Sequence, residues 1–182
     1  MLIAQITDPH ILEEGRLFKG RVDTAAWLAR AVDALNAFRP AIDAVLLTGD
    51  CVDEGAPAQY ANLGRIVAKL RMPLFAIPGN HDSRAAFLEC FPEMARRKCA
   101  FPFVQYSVDE FPARLVALDT LDEGKPAGLL CAARLGWLDR VLAEAPAKPT
   151  LVFLHHPPFV TGLPEMDSQG LAAPDTLVDV LA

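Results

Sequence analysis

Four short apolar runs constrain this chain more than any other feature, because each stops at side chains able to ligate a metal. Residues 2–7 lead into Asp8-Pro9-His10. Residues 44–48 lead into Gly49-Asp50-Cys51-Val52-Asp53, and residues 74–78 into Gly79-Asn80-His81-Asp82. Residues 151–154 lead into His155-His156-Pro157-Pro158. Runs this short, this apolar and this rich in branched side chains read as buried strands. In an open α/β sheet, ligands gather where the strands end. Asp, Asn and His collected at one such edge are the donor set of a two-metal hydrolytic site.

Between these runs the periodicity changes to helical. Asp23 or Thr24 is placed to cap a helix reaching about Phe38, where Pro40 stops it. Pro57 opens a second helix to about Leu70, and Ser83 is placed to cap a third to Cys90. Residues 91–112 interleave Phe91, Phe101, Phe103, Tyr106 and Phe111 with prolines, which reads as core and edge packing with a strand or hairpin over 103–108. Residues 113–118 form another strand, ending in Asp119-Thr120, and residues 132–145 a helix. Residues 159–173 read as an irregular loop, and a last helix starts near Pro174. Alternating strands and helices give an α/β fold, and the antiparallel segment implies a mixed sheet, as two stacked sheets flanked by helices.

The 182 residues suit one domain, 1–182, with a sizeable core. A net charge of −6 with scattered basic residues argues against a nucleic-acid polymer as substrate. No apolar run is long enough for a membrane span, and no basic leader is present, so no membrane partner is expected. Cys51, Cys90, Cys99 and Cys131 lack CxxC spacing and read as thiols of a reducing, cytoplasmic setting. The loop 11–21, following Asp8 and His10, reads as a wall of the site.

Taken in order, Asp8-x-His10, Gly49-Asp50-x-x-Asp53, Gly79-Asn80-His81-Asp82 and His155-His156-Pro157 resemble the calcineurin-like metallophosphoesterase superfamily. The GNHD variant and the HHPP stretch are similar to its bacterial cyclic-nucleotide and glycerophosphodiester phosphodiesterase branch. The resemblance implies an αββα sandwich and a hydrolase with two divalent ions (Mn, Fe, Zn or Co). Asp8 and His10 would hold the first ion, Asp50 would bridge both, and Asn80 and His155 would hold the second. His81 would touch the scissile phosphate, with Asp53 orienting its ring. Asn80 would share the substrate contact, and His156 would either support the site or face the substrate. A hydroxide between the ions would attack the phosphorus of a small phosphodiester, a cyclic nucleotide or glycerophosphodiester. A phosphomonoesterase or nucleotide pyrophosphatase of the same fold is the alternative reading. A scaffold without full metal binding is the other.

The family's closing Gly-His-x-His motif, which gives one histidine to each metal, does not occur here, since no histidine follows His156. The last helix also ends without a cap. The chain is therefore expected to be incomplete at its C-terminal end. About three protein ligands per metal remain, and the open sheet edge makes a homo-oligomer one of the expected states.

Overall fold

The structure is a computed structural model that describes residues 1–99 and 102–182; Phe101 of the aromatic stretch lies outside the described residues. Strands β1 (Ile3–Ile6), β2 (Ala44–Thr48) and β3 (Leu74–Ile77) form a parallel sheet in that order, with Ile3 opposite Ala44 and Val45 opposite Leu74. Strands β4 (Tyr106–Val108), β5 (Arg114–Ala117) and β6 (Thr150–Phe153) form a second sheet. Here β4 runs antiparallel to β5, and β5 runs parallel to β6.

Every residue of β2 is buried, which explains its unbroken apolar pattern: it is the centre strand and both of its faces are covered. Leu28 and Val32 of helix α1 (Thr24–Ala37) and Leu63, Ile66 and Val67 of helix α2 (Pro57–Val67) share one buried cluster with this sheet. Strand β5 divides its side chains by parity. Leu115 and Ala117 join the core shared with the first sheet. Val116 instead packs with Leu138 and Val141 of helix α5 (Ala132–Glu144) and Leu177 of helix α7 (Asp175–Leu181). Tyr106 ties the sheets together: its hydroxyl donates to the Ala76 carbonyl at 2.8 Å, and its ring meets Phe153 edge-on at 6.4 Å. The result is the αββα sandwich.

Asp23 is the residue that caps α1, its carboxylate accepting from Ala26 N–H at 2.8 Å. The capping expected of Ser83 does not occur in helix α3 (Arg84–Cys90). Its side chain makes no capping bond, and its N–H donates to the Tyr60 hydroxyl at 3.2 Å. Two short helices fall outside the expected ones, each with proline in its first turn: α4 (Pro92–Arg97) in the stretch read as core and edge packing, and α6 (Pro164–Asp167) in the segment read as irregular loop.

Because β1, β2 and β3 are parallel, the loops after them share one edge, and the loop after β6 meets them there. The chain follows itself past the strands as well. Asp8 N–H donates to Gly49 O, His10 N–H to Asp50 O and Ile11 N–H to Cys51 O, at 3.1–3.2 Å.

A candidate dimetal centre

The residues that leave β1 and β2 do so in an uncommon conformation. Asp8, His10 and Asp50 have φ of +53°, +42° and +46°, and Gly49 has +94°. For side chains other than glycine the left-handed region costs energy and persists where the surroundings enforce it, commonly at functional sites. The turns aim the side chains at one place. One ligand atom each from Asp8, Asp50 and His155 lie within 4.8 Å of one another, and the same holds for His10, Asp53 and His81.

Three imidazoles share one arrangement. His155 Nδ1 donates to the Thr48 carbonyl at 2.9 Å, and His81 Nδ1 to the Asp53 carbonyl at 2.7 Å. His10 Nδ1 lies 3.2 Å from the Asp53 carboxylate. These oxygens accept, so each Nδ1 carries the hydrogen and each Nε2 is left with a lone pair. The three Nε2 atoms converge on Asp50: His155 at 3.4 Å from Oδ1, His10 at 3.6 Å and His81 at 4.0 Å from Oδ2. Asn80 Oδ1 adds a further acceptor 3.2 Å from His155 Nε2. Asp50 itself is buried, with His81 N–H donating to its Oδ1 at 3.0 Å.

Lone pairs facing a buried carboxylate repel unless cations lie among them, so this donor set fits divalent metal ions. The packing leaves little choice of side chain around it. A Cβ on Gly79 would stand 2.3 Å from Asp50 N and Oδ1 and 2.8 Å from His155 Nε2, and one on Gly49 would stand 2.4 Å from His155 Nδ1.

The structure brings together Asp8, His10, Asp50, Asn80, His81 and His155, with Asp53 beside them. Two details differ from expectation. Asp53 holds His81 through its backbone carbonyl; its carboxylate bonds His10 and is 3.9 Å from His81. His156 is 2% exposed and does not face the cluster. Its Nε2 donates to the Pro126 carbonyl at 3.2 Å, and the Thr120 hydroxyl donates to its Nδ1 at 2.7 Å. Burial, and then the neighbouring His155, push its pKa down to about 4. Of the two alternatives for His156, support of the site rather than contact with substrate matches this geometry. The loop 11–21 does line the cluster, with the Phe18 ring centroid 5.4 Å from that of His10.

Two buried carboxylates stand outside the expected site set: Asp82, given no role by the sequence, and Asp119, which the sequence leaves open between support of the site and the start of a turn. Asp82 is buried and accepts from Gly79 N–H, Cys51 N–H and the Tyr60 hydroxyl at 2.6–3.0 Å. Burial raises its pKa against those bonds. Asp119 accepts from Arg84 at 2.7 and 3.0 Å and from the N–H groups of Val104 and Leu121. Both residues stand in or beside the motifs, but a carboxylate that gathers backbone N–H groups leaves no spacing signal in the sequence.

Comparison with known proteins agrees with this geometry. The sequence profile of the calcineurin-like phosphoesterases matches residues 1–181. A probable cyclic nucleotide phosphodiesterase of Rhodopseudomonas palustris is 45% identical over all of this chain and 66% of its own length. A glycerophosphodiester phosphodiesterase of Enterobacter lignolyticus is 38% identical over 92% of this chain and 60% of its own length. This chain thus spans less than two thirds of either relative. Among solved structures, a dimetal phosphatase from Danio rerio shares the fold, with a TM-score of 0.74 and 18% identity over 98% of this chain and 76% of that one. With the four motifs assembled at one sheet edge and the profile covering nearly every residue, the chain belongs to the calcineurin-like phosphoesterase family.

Proposed function

We propose that the chain, as one catalytic domain, forms the centre of a binuclear metal-dependent hydrolase of small phosphodiesters, cyclic nucleotides or glycerophosphodiesters. The observation that carries this reading is the convergence of three Nε2 lone pairs on the buried Asp50 carboxylate. Asp8 and His10 would hold one ion and Asn80 and His155 the other, with Asp50 between them; Mn, Fe, Zn and Co all suit mixed oxygen and imidazole donors. When bound, the ions supply Lewis acidity toward the phosphoryl oxygens and a nucleophilic water at neutral pH.

The chain's own residues do the rest. Thr48 O, Asp53 O and the Asp53 carboxylate fix the imidazoles so that the ligand nitrogens need no reorientation. His81 is the one imidazole of the three with a largely open side chain, 41% exposed. That opening would place its ring against a phosphoryl oxygen of a bound substrate. The chain's charge of −6 favours a compact substrate over a polyanion. Four free cysteines are consistent with a reducing, cytoplasmic setting. No helix among the described residues is long and apolar enough to cross a membrane.

The test is metal content together with hydrolysis of bis(p-nitrophenyl) phosphate and p-nitrophenyl phosphate, on the chain grown with manganese. Two ions per chain and faster diester cleavage are expected, and both should be lost in Asp50→Ala. Faster monoester cleavage would favour the phosphomonoesterase alternative. Absence of bound metal would leave only the scaffold.

A further inference from the structure

The loops after β2 and β3 exchange carboxylates. Asp50, on the first loop, accepts the N–H of His81 on the second at 3.0 Å. Asp82, on the second loop, accepts the N–H of Cys51 on the first at 3.0 Å. The same Asp82 oxygen, Oδ2, also accepts Gly79 N–H at 2.8 Å. One atom is thereby bonded to the residue that follows Asp50 and to the residue that precedes Asn80. The other oxygen, Oδ1, takes the Tyr60 hydroxyl at 2.6 Å and Val52 N–H at 3.4 Å. All of this is buried.

We infer that Asp82 is a positioning residue for the metal centre: through Oδ2 it sets the separation of the Asp50 and Asn80 loops, and so the span between the bridging carboxylate and the amide ligand. The inference rests on the reading that Asp50 and Asn80 bind metal. The two Asp82 oxygens have separable duties. Oδ2 joins the loops through two short bonds, whereas Oδ1 anchors them to α2 through Tyr60 and touches the Asp50 loop only through the 3.4 Å contact to Val52 N–H. Tyr60 holds nothing that ligates; besides Asp82 its hydroxyl accepts only Ser83 N–H among the described residues.

Substitutions can therefore part positioning from plain stability. Asp82→Ala removes both duties. In Asp82→Asn the amide oxygen still accepts Cys51 and Gly79 N–H, while its NH₂ donates to the Tyr60 oxygen, so the two short bonds of the loop junction survive and only the 3.4 Å Val52 contact is lost. Tyr60→Phe keeps the junction and loses only the anchor. The measurements are Mn(II) affinity of the metal-free chain, Tm, and amide hydrogen exchange of His81. The expected result is a loss of roughly 10–100-fold in Mn(II) affinity in Asp82→Ala, the range for groups that orient ligands. Asp82→Asn should bind close to wild type, and Tyr60→Phe should lower Tm while keeping affinity.

Wild-type affinity in Asp82→Ala overturns the inference. So does an equal loss in Tyr60→Phe at the same Tm. Should the wild type itself take up no Mn(II), the metal reading fails separately, and exchange decides this one. The His81 amide is held by Asp50 and never touches Asp82. Its exchange should quicken in Asp82→Ala and not in Tyr60→Phe; unchanged exchange in Asp82→Ala overturns the junction.

Discussion

His155 and His156 are adjacent in the chain and hold opposite tautomers. His155 spends its Nδ1 hydrogen on the Thr48 carbonyl and presents a bare Nε2 to Asp50. His156 spends its Nε2 hydrogen on the Pro126 carbonyl and takes the Thr120 hydroxyl at Nδ1. The rings stand at 83° to each other, their centroids 4.8 Å apart. One side chain is thus free to ligate, and its neighbour is fully engaged in the fold.

Replacing each should accordingly damage a different property. His155→Ala should lower metal stoichiometry, and it costs the metal-free chain only the Nδ1 bond to the Thr48 carbonyl, less than the two partners that His156 holds. His156→Ala leaves the Thr120 hydroxyl and the Pro126 carbonyl without their partner and should cost about 1–3 kcal/mol of stability. At this chain length that corresponds to roughly 2–4 °C of Tm per kcal/mol. Thermal melts and metal analysis of the two variants check it. Loss of metal from His156→Ala with Tm intact would show that the ring takes part in ligation after all.

The four motifs were legible because strand ends in a parallel sheet meet at one edge, so order along the chain already implied convergence. The partners of the imidazoles were not, since Thr48 O, Asp53 O and Pro126 O are backbone atoms that any residue supplies. Asp53 illustrates the limit: its nearness to His81 was readable, but not that its carbonyl rather than its carboxylate makes the bond. The α4 helix was missed although Pro92, Glu93, Arg96 and Arg97 are suitably placed for a helix start and end. The aromatic and proline pattern around it favoured an edge-strand reading. Ser83 misled because a cap needs geometry as well as residue type, and its side chain makes no bond to the first-turn N–H groups of α3.

Gly79→Ala should disable the site by steric means alone. Gly79 has no positive φ, so the backbone tolerates alanine; the cost is the new Cβ at 2.3 Å from Asp50 N and Oδ1. Backbone cannot yield as a flexible side-chain tip can. Metal uptake should fall to background, with Tm lowered by several degrees. Metal retained at wild-type stoichiometry would contradict the close packing of Gly79 on Asp50.

Acid should loosen the opposite face of the second sheet. Arg114 is buried under α5, where it donates to the Val141 carbonyl, and its Nε donates to Asp109 at 2.9 Å. Those bonds, from Arg114 first and Lys148 next, hold the Asp109 pKa below the ordinary carboxylate value. A carboxylate with a lowered folded pKa binds fewer protons folded than unfolded, so its contribution is present above the unfolded value of about 4. It is lost as pH falls through the lower, folded value. Asp109→Asn keeps an acceptor for the Arg114 Nε and removes only the charge, and with the Asp109 side chain 48% exposed it should cost about 0.2–1 kcal/mol at pH 7. The gap in Tm between variant and wild type should narrow toward pH 3. A gap independent of pH would remove the charge of Asp109 from the explanation.

Asp50→Asn should make the metal-free chain at least as stable as the wild type while abolishing its response to metal. In the wild type a buried carboxylate faces the Nε2 lone pairs of His155 and His10 at 3.4 and 3.6 Å. Without a cation, the one hydrogen bond to that carboxylate among the described residues is the His81 N–H. An asparagine keeps an acceptor for that N–H and turns its NH₂ toward an imidazole nitrogen, converting a repulsion into a hydrogen bond. Residues retained for binding in this way cost stability when the ligand is absent. Ligand bound only to the folded state raises stability by RT ln(1 + [L]/Kd), so Mn(II) should raise the wild-type Tm in a concentration-dependent way. Melts at pH 8, with chelator and with excess Mn(II), test both halves. The expected pattern is a variant whose two melts coincide, at or above the chelated wild type. A variant that still gains Tm from Mn(II) would mean that Asp50 is not the residue joining the two ions.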